Sequence, residues 1–210
     1  MITIAIAKGR MQDDALALLA RADVHFNGHS SLSRCLISTD DTGAYRAVFV
    51  KPADVPVYVE HGIADCGIVG RDVLLESKAD LLVPLDLEIA RCRLVVAGPS
   101  PGEINSRGML RVATKYPQLT AEYFGSRGTP VEIIHLSGSV ELAPSLRLCD
   151  VIVDLVETGR TLQENGLSVI AVITESTGRF VVNRASYQLK ADSIARLLKS
   201  LEQTLSGVSA

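Results

Sequence analysis

Residues 151–162 read Val-Ile-Val-Asp154-Leu-Val-Glu157-Thr158-Gly159-Arg160-Thr161-Leu. An apolar run leads into a carboxylate, then a turn of small residues, then the start of a helical pattern. Backbone N–H groups at a helix start point outward unsatisfied and carry partial positive charge. Thr158 and Thr161 add hydroxyl donors, and Gly159 lets the backbone approach a ligand closely. The turn therefore has the donors of a phosphate cradle. Asp154 and Glu157 repel phosphate, so their natural partners are sugar hydroxyls or a metal ion carried on a pyrophosphate. Phosphate donors and hydroxyl acceptors within the eight residues 154–161 suit a phosphorylated ribose. A plain strand-turn-helix connection with a threonine cap has the same outline, and the adjoining carboxylates favour the ribose reading.

Two further segments offer matching chemistry. Ser137-Gly138-Ser139-Val140-Glu141 is a second small-residue turn opening a helical stretch, with Glu141 placed either to cap that stretch or to meet a ribose hydroxyl. Lys8-Gly9-Arg10 follows the first apolar run, putting two cations where ligands gather in α/β folds, beyond the carboxyl ends of the strands. His61 near a helix end reads as structural. The cysteines Cys35, Cys66, Cys92 and Cys149 have neither zinc-ligand nor disulfide-framework spacing and read as buried, reduced thiols.

These groups need a scaffold, and the chain supplies an alternating β/α rhythm. Apolar runs at Ile2–Ala7, Cys66–Val69, Leu81–Leu85 and Cys92–Ala97 read as strands, the last two as strands buried on both faces. Strands at 35–38 and 46–50 flank the turn-rich Asp40-Asp41-Thr42-Gly43. Helical spacing runs from Met11 to Ala22, 54 to 61 and 72 to 77. After an exposed loop at Gly98-Pro99-Ser100-Pro101-Gly102 come a strand at 111–113, a helix at 116–127, strands at 131–136 and 151–154, and a short helix from Val140. Ile194, Leu197, Leu198, Leu201 and Leu205 form one stripe of a C-terminal helix capped by Asp192 or Ser193. The pattern predicts an α/β fold with mostly parallel sheets, and the break near Gly98 predicts two lobes.

The 210 residues carry a net charge of −3 with 47% hydrophobic residues. That balance provides no basic face for nucleic acid. The N-terminal apolar run is too short for a secretion signal, and no stretch nears the roughly 20 apolar residues of a membrane span. The expectation is a cytoplasmic protein without nucleic-acid or membrane partners.

Seven segments in order give the chain a specific likeness: Lys8-Gly9-Arg10; Asp54-Val55-Pro56 with Tyr58 to Gly62; Asp65 to Asp72; Cys92-Arg93-Leu94; Arg111 to Pro117; Gly138 to Pro144; and Asp154 to Thr161. Together they resemble the ATP phosphoribosyltransferases of histidine biosynthesis, in their short form. The resemblance implies a two-lobed fold like that of periplasmic binding proteins, with the active site in the cleft between lobes. Residues 1–91 with 175–210 would make the first lobe, and 92–174 the second, carrying the phosphoribosyl loop. It implies ATP and phosphoribosyl pyrophosphate as substrates and Mg²⁺ as cofactor. It also implies a homodimer of this chain, and a hetero-octamer with a regulatory subunit related to histidyl-tRNA synthetase.

Carried over residue by residue, the resemblance makes Asp154, Glu157, Thr158, Gly159, Arg160 and Thr161 the loop that holds the 5′-phosphate and ribose. Glu141 lies near the hydroxyls, and Arg10, Arg34 and Lys8 are the catalytic cations that meet pyrophosphate and nucleotide phosphates. No metal ligand is assigned. Arg147 and Cys149 stand where smaller or uncharged residues are common, and Lys51 where arginine is frequent, which replaces a bidentate fork by a point charge there. Purine or pyrimidine phosphoribosyltransferases share the acidic Thr-Gly-x-Thr loop but have no place for Lys8-Gly9-Arg10 or Gly138 to Pro144. A non-enzymatic binding module of the same fold is the other alternative.

Overall fold

The computed structural model describes residues 1–26, 35–99 and 108–207. In chain order the elements are β1 (Ile2–Ala7), α1 (Arg10–Arg21), β2 (Ile37–Thr39), β3 (Tyr45–Val50), α2 (Val55–Glu60), β4 (Cys66–Gly70), α3 (Arg71–Ser77) and β5 (Leu82–Asp86). They continue with β6 (Cys92–Gly98), β7 (Leu110–Thr114), α4 (Pro117–Gly125), β8 (Val131–His135), β9 (Val151–Val156), α5 (Arg160–Glu164), β10 (Ser168–Ser176), β11 (Gly178–Val182), α6 (Arg184–Leu189) and α7 (Ala191–Leu205). The chain divides into two compact units, Met1–Ala90 with Thr177–Ala210, and Arg91–Ser176.

The first unit is built on a six-stranded sheet in the order β2-β3-β1-β4-β11-β5. β1 is buried at every position because α1 and α7 cover one face while α2 covers the other. Ile4 and Ile6 share a core with Leu18 and Leu19 of α1 and Ile194, Leu197 and Leu201 of α7, so the C-terminal stripe packs as its spacing demands. Each such side chain contributes roughly 1.5–3 kcal/mol by leaving water. On the opposite face Ala5, Ala7 and Val69 pack against Val55 and Val59.

That second interface is closest at Gly67. A Cβ there would lie 2.9 Å from Val55 Cγ1, 3.0 Å from Val59 Cγ2 and 3.1 Å from the Ala5 carbonyl oxygen. Backbone oxygen cannot swing aside, so Gly67→Ala is expected to destabilise the unit by about 2 kcal/mol, read as a lowered urea midpoint. An unchanged midpoint would show that α2 can lift off the sheet at no cost.

The second unit has a five-stranded sheet in the order β10-β6-β9-β7-β8. Val95, Ala97, Ala113, Ile152 and Val156 line one face and pack against Val140, Leu162 and Leu167. Thr114 is wholly buried at the end of β7.

The sheets are mixed rather than mostly parallel. Among the described residues four strand pairings are parallel (β1–β3, β1–β4, β7–β8, β7–β9) and five are antiparallel. Of these five only β2–β3 is a hairpin, closed by the short link Asp40–Ala44, which is too short for the crossover of a dozen or more residues that parallel pairing needs. The other antiparallel pairs arise where β6 and β11 run against the parallel strands beside them, β6 between β9 and β10 and β11 between β4 and β5.

Other local expectations change for equally specific reasons. β5 is a sheet edge, not a strand buried on both faces; Val83 is exposed, and Pro84 within it suits an edge, where no ladder donor is required. Gly98 ends β6 and is buried against Val151 and Ile170 rather than opening a loop; Ser100 to Gly102 lie outside the described residues. Residues 168–182, given no element by the sequence reading, form β10 and β11. α7 starts at Ala191 directly after Lys190, so Asp192 sits inside its first turn and neither it nor Ser193 is the cap. Cys35 is exposed, whereas Cys66, Cys92 and Cys149 are buried, and none of the four is in a disulfide.

A polar knot fastens the C-terminal helices to the sheet. Asp65, 5% exposed, accepts from the Thr3 N–H (2.9 Å), the Ser186 hydroxyl (2.8 Å) and Lys190 Nζ (2.8 Å). Burial by itself pushes this carboxyl up, but the Lys190 bond, the Thr3 amide and Ser186 outweigh it and hold it below the usual carboxylate range. A depressed folded-state value adds stability above the unfolded value of about 4, lost as pH falls through the folded one. Asp65→Asn is expected to flatten the fall in unfolding free energy on acidification below about pH 4, measured by urea titrations at successive pH values. An unaltered pH profile would mean that the knot does not couple to protonation.

Candidate functional site

In both units the chemistry-bearing residues gather beyond the carboxyl ends of the parallel strands. In the first unit the two residues Lys8 and Gly9 connect β1 to α1. Gly9 adopts φ 95°, ψ −146°, a backbone conformation open to glycine and strained for other residues. The Lys8 N–H donates to Val50 O at 2.8 Å, tying the end of β1 to that of β3. Arg10 is the first residue of α1 and is exposed. Lys51 follows β3, and Arg71 follows β4 as the first residue of α3. These positions form a cationic rim on one sheet end.

In the second unit β9 carries Asp154 into the turn. Asp154 is half-buried, lies opposite Val95 of β6, and accepts the Leu155 N–H at 2.9 Å. Glu157 and Thr158 are exposed, and Gly159 takes the left-handed φ of 83° that leads into α5. The Arg160 N–H meets the Thr158 hydroxyl at 3.4 Å, and Arg160 Nε donates to Glu164 Oε1 at 2.8 Å. That last pair is well exposed and holds little energy. Leu162 anchors the turn by packing in the core with Val156. Thr161 is exposed, and its carbonyl accepts from Asn165.

Glu141 lies in the 3₁₀ turn Val140–Leu142. That turn follows β8 after a short loop, and its Val140 shares the core with Val156 and Leu162. Ser139 ahead of it is left-handed and caps nothing with its side chain.

The structure thus brings Glu141 and Asp154 to Thr161 to one sheet end of the second unit. Lys8 and Arg10 belong to the first unit, and Arg34 lies outside the described residues. His61 ends α2, with Nδ1 3.1 Å from Val57 O. Some cations were absent from the residue-level reading. Lys115 directly follows β7, and Arg93 pairs in register with Val156, so both stand beside the acidic turn. Their signal was position: a basic residue flanking a short apolar strand. Arg71, in Gly70-Arg71-Asp72, is the same case in the first unit.

Two mixed-sheet α/β units, with a cationic rim on one and an acidic Thr-Gly turn on the other, define a class of α/β protein suited to phosphorylated ligands. An alkanesulfonate-binding protein from Xanthomonas axonopodis pv. citri shares the fold, with a TM-score of 0.58 at 14% identity over 97% of this chain and 72% of that one. The family model for ATP phosphoribosyltransferase (HisG) matches residues 51–203. The ATP phosphoribosyltransferase of Caldanaerobacter subterraneus subsp. tengcongensis is 48% identical over 207 residues, covering 99% of each chain. The solved ATP phosphoribosyl transferase (HisG:HisZ) complex from Thermotoga maritima contains a chain with a TM-score of 0.85 and 38% identity, covering 99% of this chain and 100% of that one. The chain belongs to the ATP phosphoribosyltransferase family.

Proposed function

We propose that this chain transfers the 5-phosphoribosyl group of phosphoribosyl pyrophosphate to N1 of the adenine of ATP, releasing pyrophosphate, the first step of histidine biosynthesis. The observation that carries the reading is the Asp154 to Thr161 turn at the carboxyl end of β9, with carboxylates, hydroxyls and a left-handed glycine in one segment. Thr158, Gly159, Arg160 and Thr161 hold the 5′-phosphate, while Asp154, Glu157 and Glu141 accept from the ribose hydroxyls.

The bond from C1′ to the pyrophosphate oxygen breaks, its electron pair leaves with pyrophosphate, and the N1 lone pair forms the new bond to C1′. N1 needs no prior deprotonation. Catalysis is therefore electrostatic: Arg10, Arg34 and Lys8 stabilise charge as it builds on the leaving group, and orientation of two polyanionic substrates supplies the rest. Asp154 and Glu157 offer the hard oxygen donors that Mg²⁺ takes alongside substrate phosphates; held there, the ion would neutralise part of the pyrophosphate charge.

No helix among the described residues is long and apolar enough to cross a membrane, and the reading places the enzyme in the cytoplasm. It forms a homodimer and joins a regulatory chain in a hetero-octamer, a proposal supported by the Thermotoga maritima relative's solution as a HisG:HisZ complex. The test is to mix purified chain with ATP, phosphoribosyl pyrophosphate, Mg²⁺ and a pyrophosphatase and to follow phosphoribosyl-ATP by ultraviolet absorbance, with and without the regulatory chain. Product under either condition supports the assignment. Silence in both, with pyrophosphate release also absent, would overturn it.

A further inference from the structure

The pairing of β7 with β9 stops at Thr114 opposite Val153, one residue before Asp154. There β7 departs towards α4, whose first residue, Pro117, has no N–H. The Thr114 side chain fills the last rung. Its hydroxyl donates to the Val153 carbonyl at 2.8 Å and accepts the Tyr116 N–H at 2.9 Å. Thr114 is 0% exposed, so both bonds are sheltered from water, and both roles of the hydroxyl are in use. On its other side β9 is held by β6, with Asp154 opposite Val95.

We propose that Thr114 is a positioning residue for the phosphoribosyl site. Its hydroxyl fixes the carbonyl of Val153 and thereby the backbone from which Asp154 projects. The inference rests on the reading of Asp154 as a ribose ligand. The hydroxyl does what a backbone donor of a longer β7 would do, yet leaves the strand free to turn away. β9 is therefore rigid up to Val153, and Asp154 is the first residue beyond the shared ladder. The carboxylate of Asp154 then projects from a backbone held by β6 on one side and, one residue earlier, by the Thr114 hydroxyl on the other. A group that orients a ligand-binding side chain changes affinity for that ligand selectively.

The test compares Thr114→Val, Thr114→Ser and Asp154→Asn by calorimetric titration of the full chain with phosphoribosyl pyrophosphate and Mg²⁺, and separately with ATP. Valine keeps the shape but neither bond, serine keeps both bonds. The expected result is about tenfold weaker phosphoribosyl pyrophosphate binding by Thr114→Val, corresponding to the loss of about one net hydrogen bond. ATP binding and the serine variant should stay within about twofold of the parent. If valine does not yield folded protein, Thr114→Cys serves, its weak thiol donor giving a loss of about fivefold. A valine or cysteine variant that binds like the parent, or a serine variant as weak as valine, would overturn the proposal. If Asp154→Asn leaves binding unchanged, the ribose assignment itself fails and Thr114 falls with it. Asparagine weakened beside an unaffected valine variant rejects Thr114 alone.

Discussion

Replacing Arg10 by alanine is expected to lower kcat about a hundredfold while the KM for phosphoribosyl pyrophosphate moves by no more than about threefold. Arg10 opens α1, and Gly9 before it offers no side-chain cap. Unsatisfied N–H groups make a helix start a poor place for a cation, by up to about 1 kcal/mol. The long, exposed guanidinium of Arg10 can reach a ligand's negative charge beyond the helix start. On pyrophosphate that charge grows as the bond to C1′ breaks, so the interaction strengthens on the way to the transition state and kcat takes the loss. The loss corresponds to about 3 kcal/mol, that of one preorganised donor. The thermal midpoint should stay level, since Arg10 is exposed and surface substitutions change stability little. Steady-state kinetics and a melting curve settle it together. A large rise in KM with unchanged kcat would reduce Arg10 to a ground-state binding residue, and a fall in the midpoint would make it a structural one.

Asp154→Asn should raise the KM for phosphoribosyl pyrophosphate about thirtyfold and leave the KM for ATP within about twofold. Asparagine keeps an oxygen for the Leu155 N–H that Asp154 Oδ1 now accepts at 2.9 Å. The strand end therefore survives the change, and what is removed is the charge. A hydrogen bond from a sugar hydroxyl to a carboxylate is stronger than one to an amide by about 2 kcal/mol at most, which sets the size of the effect. Kinetics with each substrate varied in turn distinguish the cases. An unchanged constant for phosphoribosyl pyrophosphate would sink the ribose role, and an equal rise for ATP would point to general damage.

What could be read from the sequence was the chemistry that is local. Asp154 to Thr161 is a contiguous strand, turn and helix start, so its shape follows from its own residues, and Gly159 adopts the left-handed conformation the turn needs. β1, β4 and α7 were legible because full burial and a one-sided stripe leave plain signatures in residue type. β10 was not assigned, although Val169 to Ile173 is an unbroken apolar run; at the sheet edge Val169, Ile170 and Val172 are exposed, so residue type alone does not set its place. β5 is a second apolar edge, since Leu81 to Leu85 is as apolar as a central strand and only Pro84 discloses its position. The start of α7 was obscured because α6 ends at Leu189 with just Lys190 between them. The bond from Thr114 to Val153 spans 39 residues, and no local pattern encodes it.

The chain leaves the first unit after Ala90 and returns at Thr177, and this order governs how the protein can be made. β11 is the strand between β4 and β5, so during synthesis from the N-terminus the first sheet cannot be completed until residue 182 has left the ribosome. Until then β4 and β5 expose unpaired edges, the condition that invites wrong strand pairing. The second unit is one continuous stretch, Arg91–Ser176, and its last strand emerges before β11 does. It can fold while the first unit waits, its two ends then held close together for β11 to enter the gap.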